Sequence, residues 1–241
     1  MANLADRLDH VRSTLTEAAA RAGRVVADIE VVAVSKTHSP ETVKEAIDAG
    51  QLLFGESRIQ EARAKIPLLP ARARWHFIGH LQRNKARHAL PLFELLHGID
   101  TLELARDLNR VAGEMGSFPK VLLEVNVAGE STKFGFPHGR LSAGMDELLA
   151  LDRLQIEGLM TIAPFAPEPE SSRKYFAALR NLRDRLQDEF RTPLPRLSMG
   201  MSSDYAVAVE EGATLVRIGT AIFGGRSGKG WRPSSGAGFE E

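Results

Sequence analysis

Cysteine is absent from this chain of 241 residues. Its absence excludes disulfides, thiolate nucleophiles and cysteine metal sites, and the fold has no need of an oxidising compartment. Long apolar runs are absent as well, because charged residues interrupt each one before it could span a bilayer. Residues 1–8 also lack the continuous apolar segment of a secretory signal. We therefore expect a soluble, cytoplasmic protein with no membrane partner.

Net charge is also lacking, since Lys plus Arg and Asp plus Glu each number 31. No overall charge draws the protein toward nucleic acid, and the basic run at 83–88 is expected to be a solvated helix face. No linker divides the chain, so we predict one domain over 1–226. A flexible tail rich in Gly, Ser and Pro is expected over 227–241. Nothing in the pattern demands a second chain to complete the core, so a monomer is expected.

Apolar periodicity predicts an α/β fold. An N-terminal amphipathic helix ending near Gly23 is predicted by the spacing of Leu4, Leu8, Val11, Leu15 and Ala18. Eight apolar runs predict buried strands at 29–35, 52–54, 75–78, 95–97, 121–127, 156–161, 196–199 and 215–218. Helical segments between them are predicted at 40–49, 57–64, 82–90, 101–115, 141–151, 171–190 and 204–211. The alternation favours a single (β/α)8 TIM-type barrel with an additional N-terminal helix over an open doubly wound sheet.

Lys36 is the first candidate for chemistry, because it ends the first predicted strand directly after four apolar residues and a serine. In (β/α)8 enzymes the carboxyl ends of the strands carry the active site. Partial desolvation there favours the neutral amine, which is the form that attacks a carbonyl. The alternative is a lysine that reaches solvent or pairs with a carboxylate such as Glu56.

Two glycine-bearing turns follow the seventh and eighth predicted strands. Gly200, Met201 and Ser202 open a predicted helix, whose unpaired N–H groups suit an anion, although a serine that only caps its own helix is the alternative. Gly219 and Thr220 end the last strand with a glycine where backbone can approach a ligand. Loops in these two positions frequently bind phosphate in (β/α)8 enzymes. Together with Lys36, they predict a phosphate-bearing aldehyde held as a Schiff base.

Arg217 lies within the last predicted strand and points opposite to Val216 and Ile218. A buried guanidinium needs acceptors or a planar partner, so it either bridges acidic groups or donates to a heteroaromatic ring nitrogen. In the second case, it would keep the pyridine nitrogen of pyridoxal phosphate unprotonated and weaken the ring as an electron sink. His76 and His80 have a spacing that does not suit a shared zinc site on a strand, so no metal is expected.

Seven motifs occur in order between about residues 29 and 226. They are AVSK at 33–36, FGE at 54–56, WHFIGHLQRNK at 75–85, EVN at 124–126, GLMT at 158–161, LSMGMS at 197–202 and VRIGTAIFG at 216–224. Together they resemble the pyridoxal phosphate homeostasis proteins, single-domain relatives of the N-terminal barrel of alanine racemase. The resemblance implies the barrel of fold type III enzymes that use pyridoxal phosphate (PLP).

The resemblance also implies a role for each site residue. Lys36 would form the Schiff base, Ser202 with Gly219 and Thr220 would hold the phosphate, and Arg217 would face the pyridine nitrogen. The remaining candidates for cofactor binding are Gly200, Met201, Asn126 and His76. Two positions depart from the family pattern: Ser57 stands where asparagine is usual, and Tyr205 replaces a different apolar residue. Neither departure touches the lysine or phosphate assignments.

The choice between enzyme and carrier depends on a second acid/base group. Alanine racemase takes a tyrosine from an additional β-domain, and the folded part here is expected to end near Gly225, leaving no room for it. Tyr175 and Tyr205, the only tyrosines, lie in predicted helices. We predict a non-catalytic protein that binds PLP in vitamin B6 homeostasis and passes it to apo forms of PLP-dependent enzymes. The alternatives are a small PLP-dependent amino-acid racemase and a lysine Schiff-base barrel aldolase.

Overall fold

Eight parallel strands form a closed ring in the computed structural model, which describes residues 3–130, 132–225 and 231. They are β1 (Glu30–Val34), β2 (Leu53–Glu56), β3 (Arg74–Phe77), β4 (Leu95–Ile99), β5 (Lys120–Asn126), β6 (Gln155–Met160), β7 (Arg196–Ser198) and β8 (Leu215–Ile218). Each strand pairs with the next along the chain, and β8 pairs with β1. A two-residue strand, Phe136–Pro137, adds beside the end of β5. The ring confirms the predicted (β/α)8 barrel and excludes the open sheet.

Helices cover the outside of the ring. They are α1 (Leu4–Arg21), α2 (Pro40–Asp48), α3 (Ile59–Lys65), α4 (Ala86–Ala89), α5 (Leu102–Met115), α6 (Leu141–Leu149), α7 (Arg173–Phe190), α8 (Tyr205–Glu210) and α9 (Thr220–Phe223). The predicted N-terminal helix α1 is confirmed. It begins with a capping box, in which Asn3 and Asp6 exchange side-chain and backbone hydrogen bonds. Its apolar stripe packs against α8 and α9.

One predicted helix is only partly α-helical in the structure. The segment 82–90 forms a 3-10 turn, Arg83–Lys85, followed by the single turn of α4. Within these two elements only Ala86 and Ala89 are buried, so this segment has little apolar surface with which to stabilise a longer helix. Arg83 binds Asp107 on α5, in agreement with the expected solvated basic face.

Strand alternation divides the buried residues into two layers. The larger layer lies between strands and helices, whereas a small cluster of Val32, Leu53, Leu95, Leu122, Met160 and Leu215 fills the barrel interior. Polar side chains share that interior, because His97, Glu124 and Arg217 lie two residues beyond Leu95, Leu122 and Leu215 on the same faces. The barrel therefore holds buried polar groups that need partners.

The predicted tail at 227–241 falls outside the described residues except for Trp231. The Trp231 backbone N–H donates to the Thr37 carbonyl at 2.8 Å. No helix in the described part of the chain is both long enough and apolar enough to cross a bilayer.

Close approach of β6 and β7 makes Gly158 a sensitive position. A Cβ atom there would lie 1.9 Å from the Arg196 carbonyl oxygen, at a φ of +156°. We expect Gly158→Ala to lower the free energy of unfolding by about 3 kcal/mol, because the paired backbones must move apart. Urea denaturation followed by circular dichroism measures this loss.

Gly144→Ala is the matched control, since Gly144 lies in α6 with open space around the position of a new Cβ atom. Alanine favours helix there, so the free energy of unfolding should stay the same or rise. Equal stability for the two variants would contradict the close approach.

Candidate functional site

The turns that carry Lys36 and Gly219 lie side by side because β1 and β8 are paired. The register runs from Glu30 opposite Leu215 to Ala33 opposite Ile218, and the two residues follow these strands at the same end of the barrel. A Cβ atom on Gly219 would lie 3.6 Å from the Val34 Cβ atom. The closed ring thus places the amine-bearing strand end against the glycine turn.

Ser202 joins the two loops that were predicted to bind phosphate. Its Oγ accepts hydrogen bonds from the backbone N–H groups of Gly219 at 3.2 Å and Ala221 at 3.3 Å. These N–H groups open α9, where the helix dipole favours an anion. Thr220 is exposed beside them. One hydroxyl and two backbone N–H groups therefore converge next to the Lys36 strand end.

The turn after β7 depends on Gly200. Its φ is +91°, and an added Cβ atom would lie 2.5 Å from the Ala208 Cβ atom on α8. The next residue, Met201, donates its N–H to Asp204 at 2.7 Å. Tyr205, which was expected to depart from the family pattern, is buried in the layer between helices and strands. These contacts fix the turn against α8, and the turn places Ser202 beside the start of α9.

Arg217 points into the barrel and is held by two acceptors. It donates to Ser198 Oγ at 2.5 Å and to the Thr161 carbonyl at 2.8 Å. Burial lowers the pKa of Arg217 to about 10, while Glu124 and Asp204 oppose that shift. Arg217 therefore stays cationic at neutral pH, and its hydrogen bonds to the described residues use two of its five N–H donors.

A chain of buried hydrogen bonds runs from Arg217 into the barrel. His97 Nδ1 lies 2.9 Å from Ser198 Oγ, and His97 Nε2 lies 3.0 Å from His76 Nδ1. Burial lowers the pKa of His76 to about 3 and that of His97 well below its usual value, so both rings are neutral. Because Arg217 only donates, we infer that Ser198 donates to His97 and that His97 donates to His76. The chain orients Arg217.

His76, a sequence candidate for cofactor binding, is not brought to the Lys36 end of the barrel. His76 instead lines a cavity of about 370 Å3 at the opposite end of the barrel. The cavity is also lined by Arg74, Lys120 and Arg196, which lie at the amino-terminal ends of β3, β5 and β7. The sequence placed His76 within a strand but could not show which end of the barrel its ring faces. Within the described part of the chain, hydrogen bonds connect His76 to Arg217 through His97 and Ser198.

Asn126 ends β5 and holds the loop that follows. Its Nδ2 donates to the carbonyls of Glu130 at 2.8 Å and Lys133 at 3.4 Å. Its Oδ1 is buried and accepts no hydrogen bond from the described residues. Asn126 also lines a cavity of about 140 Å3 with Phe134 and Ile162. This candidate therefore shapes the loop and retains one acceptor atom.

Glu124 is a buried acid that the sequence analysis did not select. Burial raises its pKa to about 7, the nearby charge of Asp100 adds to the rise, and Arg217 opposes it. Two signals in the sequence could have marked this group: Glu124 and His97 each interrupt an otherwise apolar strand. A polar residue on such a strand faces the barrel interior when it lies two positions from an apolar residue that faces the interior.

Comparisons with known proteins agree with this geometry. A family model described as the N-terminal domain of alanine racemase matches residues 7–227. The pyridoxal phosphate homeostasis protein of Aquifex aeolicus is 42% identical over 225 residues, covering 93% of this chain and 99% of that protein. The homologue of the same name in Escherichia coli K12 is 39% identical over 231 residues, covering 94% and 98%.

Solved structures show the same relationship. PipY of Synechococcus elongatus, solved with PLP bound, has a TM-score of 0.80 at 38% identity and covers 92% of this chain and 100% of its own. An alanine racemase of Clostridium difficile shares the fold at a TM-score of 0.69 and 18% identity, covering 93% of this chain and 59% of its own. The barrel and its strand-end site thus define a protein of the alanine racemase N-terminal domain class. Within that class, the chain belongs to the family of pyridoxal phosphate homeostasis proteins.

The raised pKa of Glu124 predicts a pH dependence of stability. In the folded state the pKa of Glu124 is about 7, whereas in the unfolded chain it has the ordinary glutamate value of 4.5. Between these values the folded state binds the extra proton, so the free energy of unfolding falls as pH rises through this window. We expect Glu124→Gln to remove a loss of about 3 kcal/mol between pH 4.5 and 7.

Urea denaturation of both proteins at several pH values measures the difference. Glu103→Gln, at an exposed position on α5, is the control and should leave the pH profile of the wild type unchanged. The two histidines remain in both proteins and cancel in the difference. Parallel profiles for the wild type and Glu124→Gln would show that Glu124 is not protonated by burial.

Proposed function

We propose that this protein binds PLP as a Schiff base on Lys36 and acts in PLP homeostasis as a carrier or buffer, with little or no catalysis. The observation that carries the proposal is the convergence of Lys36, Gly219 and Ser202 at the paired ends of β1 and β8. PipY, a relative at 38% identity over the whole of its chain, has been solved with PLP bound. The donors in this chain suit the same kind of ligand.

In the proposed complex, one residue forms the covalent bond to PLP and others bind its phosphate. PLP supplies an aldehyde, and the Lys36 amine attacks its carbon so that a C=N bond forms and one water leaves. The Ser202 hydroxyl, whose oxygen accepts from the N–H groups of Gly219 and Ala221, would donate its own proton to the phosphate, with the exposed Thr220 hydroxyl at the same turn. Gly200 and Met201 shape the turn that carries Ser202. The amine and the anion site would thus hold the two ends of one ligand.

Arg217 favours storage over catalysis. A guanidinium that donates to the pyridine nitrogen leaves that nitrogen unprotonated, and an unprotonated ring withdraws electrons weakly. Ser198 and Thr161 hold the guanidinium in place, and its charge persists at neutral pH. A permanent donor at this position would therefore slow carbanion chemistry while still contributing to affinity.

The positions of the tyrosines also favour a carrier over a racemase. Tyr175 lies on α7 at the outside of the barrel, and Tyr205 is packed between α8 and the strands. His80 and Asp100, which follow β3 and β4, form a close ionisable pair at the Lys36 end of the barrel, with 2.9 Å between Nδ1 and Oδ2. Racemisation of amino acids is the alternative activity, and an assay of the purified protein for racemisation tests it.

Apo forms of PLP-dependent enzymes are the proposed recipients of the cofactor. An imine bond exchanges with water or another amine, so a Schiff base on Lys36 can be loaded and released without any further catalyst. We also propose that one chain is sufficient for binding, since the ring of strands closes within a single chain.

Replacing Lys36 tests the covalent proposal. We expect wild-type protein mixed with PLP to gain the visible absorbance of a Schiff base and, after borohydride reduction, to carry the cofactor mass on the peptide that contains Lys36. Lys36→Ala should lose both signals because the neighbouring amine, Lys65 Nζ, is buried on the helix side and uses all three of its N–H donors. Lys44→Ala, on the exposed face of α2, is the control and should retain both signals.

Three outcomes would overturn parts of the proposal. Retention of the absorbance and of the mass adduct by Lys36→Ala would remove Lys36 as the attachment site. Rapid amino-acid racemisation that depends on Lys36 would identify an enzyme. A protein that binds no PLP but cleaves a sugar phosphate through Lys36 would identify the barrel aldolase.

Replacing Ser202 tests the phosphate site. Ser202→Ala removes one hydroxyl donor, so we expect the preference for PLP over pyridoxal, which lacks the phosphate, to fall roughly tenfold. Ser203→Ala changes the exposed neighbouring hydroxyl and should leave the preference unchanged. Titrations of absorbance with both ligands measure it. An equal preference for PLP over pyridoxal in all three proteins would show that Ser202 does not bind the phosphate.

A further inference from the structure

The turn that carries Lys36 has an unfavourable backbone conformation. The His38 N–H donates to the Ser35 carbonyl at 3.1 Å, so residues 35–38 form a tight turn with Lys36 and Thr37 at its centre. Thr37 has a φ of +67°, in the left-handed region that a β-branched residue rarely adopts. Glycine or asparagine is usual at such a position. Other contacts must therefore stabilise this turn.

A buried ion cluster contacts the turn on the side of the helices. Lys65, at the end of α3, is fully buried, and its ammonium group donates to the Ser35 carbonyl at 2.9 Å, to Glu56 Oε1 at 2.7 Å and to Glu61 Oε1 at 2.8 Å. All three N–H donors are used. Burial raises the pKa of Glu56, and Lys65 opposes the rise. The cluster is thus fixed by charge as well as by hydrogen bonds.

Glu61 and Lys65 hold the two sides of the turn. Glu61 Oε1 accepts the Thr37 N–H at 2.5 Å, while Lys65 donates to the Ser35 carbonyl. The same carboxylate oxygen binds Lys65, so the two contacts are coupled. The Trp231 N–H adds a third contact at the Thr37 carbonyl, and its ring centroid lies 5.3 Å from Lys65 Nζ.

We propose that Glu61 and Lys65 are positioning residues that hold Thr37 in its left-handed conformation and thereby set the direction of the Lys36 side chain. Without the Glu61 contact, Thr37 relaxes to negative φ, and the peptide between Lys36 and Thr37 rotates. The amine then meets the aldehyde from a less favourable direction while the phosphate site remains intact. The inference rests on the proposed role of Lys36 and assigns no contact between cofactor and Glu61.

The test uses rescue by glycine in the full-length protein. Glu61→Met keeps the volume but removes the acceptor, and we expect Schiff-base formation with PLP to slow about tenfold in stopped-flow absorbance. Thr37→Gly adopts positive φ without strain, so it should restore most of the rate in the double variant and change little alone. Glu45→Met, on the exposed face of α2, is the control and should react like the wild type.

A second readout does not depend on PLP. Hydrogen exchange of the Thr37 and His38 amides in the protein without cofactor should quicken in Glu61→Met and slow again for His38 when Thr37→Gly is added. This arm reports on the turn even if Lys36 were to form no Schiff base, so failure of the proposed function and failure of the positioning role are distinguishable.

Two results would overturn the positioning role. The first is a wild-type reaction rate and wild-type amide exchange in Glu61→Met. The second is a folded double variant, judged by near-ultraviolet circular dichroism, that reacts as slowly as Glu61→Met. If Glu61→Met does not fold, Glu61→Gln takes its place. It keeps an acceptor oxygen but loses the charge, and a smaller loss of rate with the same rescue by Thr37→Gly is expected.

Discussion

The pairing of β1 with β8 is the interaction on which the site depends. These strands are separated by almost the whole chain, yet their register places the residues after Ala33 beside those after Ile218. Parallel strands that close a ring bring all their carboxyl ends to one face. The Lys36 turn and the Gly219 turn thereby lie at one face of the barrel, where we propose that they hold the two ends of one ligand. Any change that broke the pairing of β1 with β8 would separate these two turns.

Polar groups inside the barrel impose the second constraint. A buried guanidinium is costly unless it finds acceptors, and Arg217 finds Ser198 and Thr161. Ser198 then contacts His97, and His97 contacts His76, so a chain of hydrogen bonds extends through the barrel interior. The same principle applies on the helix side of the wall, where the ammonium group of Lys65 satisfies all its donors beside the Lys36 turn. The first network holds Arg217, and we propose that the second sets the direction of Lys36.

Much of the fold could be predicted because helices and strands have local periodicities. The eight strands lie where apolar runs predicted them, with shifts of one or two residues at the ends, and β2 continues through Glu56 because its backbone pairs with β3. The segment 82–90 is helical over residues 83–89, but its first turn is a 3-10 helix, and its residues bury little apolar surface. The strand-end residues Lys36, Ser202 and Gly219 could be found because strand ends are visible in the sequence.

The sequence by itself determined the class of fold, the order of its elements and the residue types at the strand ends, because each depends on neighbouring positions in the chain. Only the tertiary structure decided which polar residues meet. His97 and Ser198 are in contact across 101 positions, His76 faces the end of the barrel opposite Lys36, and Lys65 reaches Ser35 through the strand–helix layer. Such contacts follow from ring closure and from the burial of charge, and no local pattern records either.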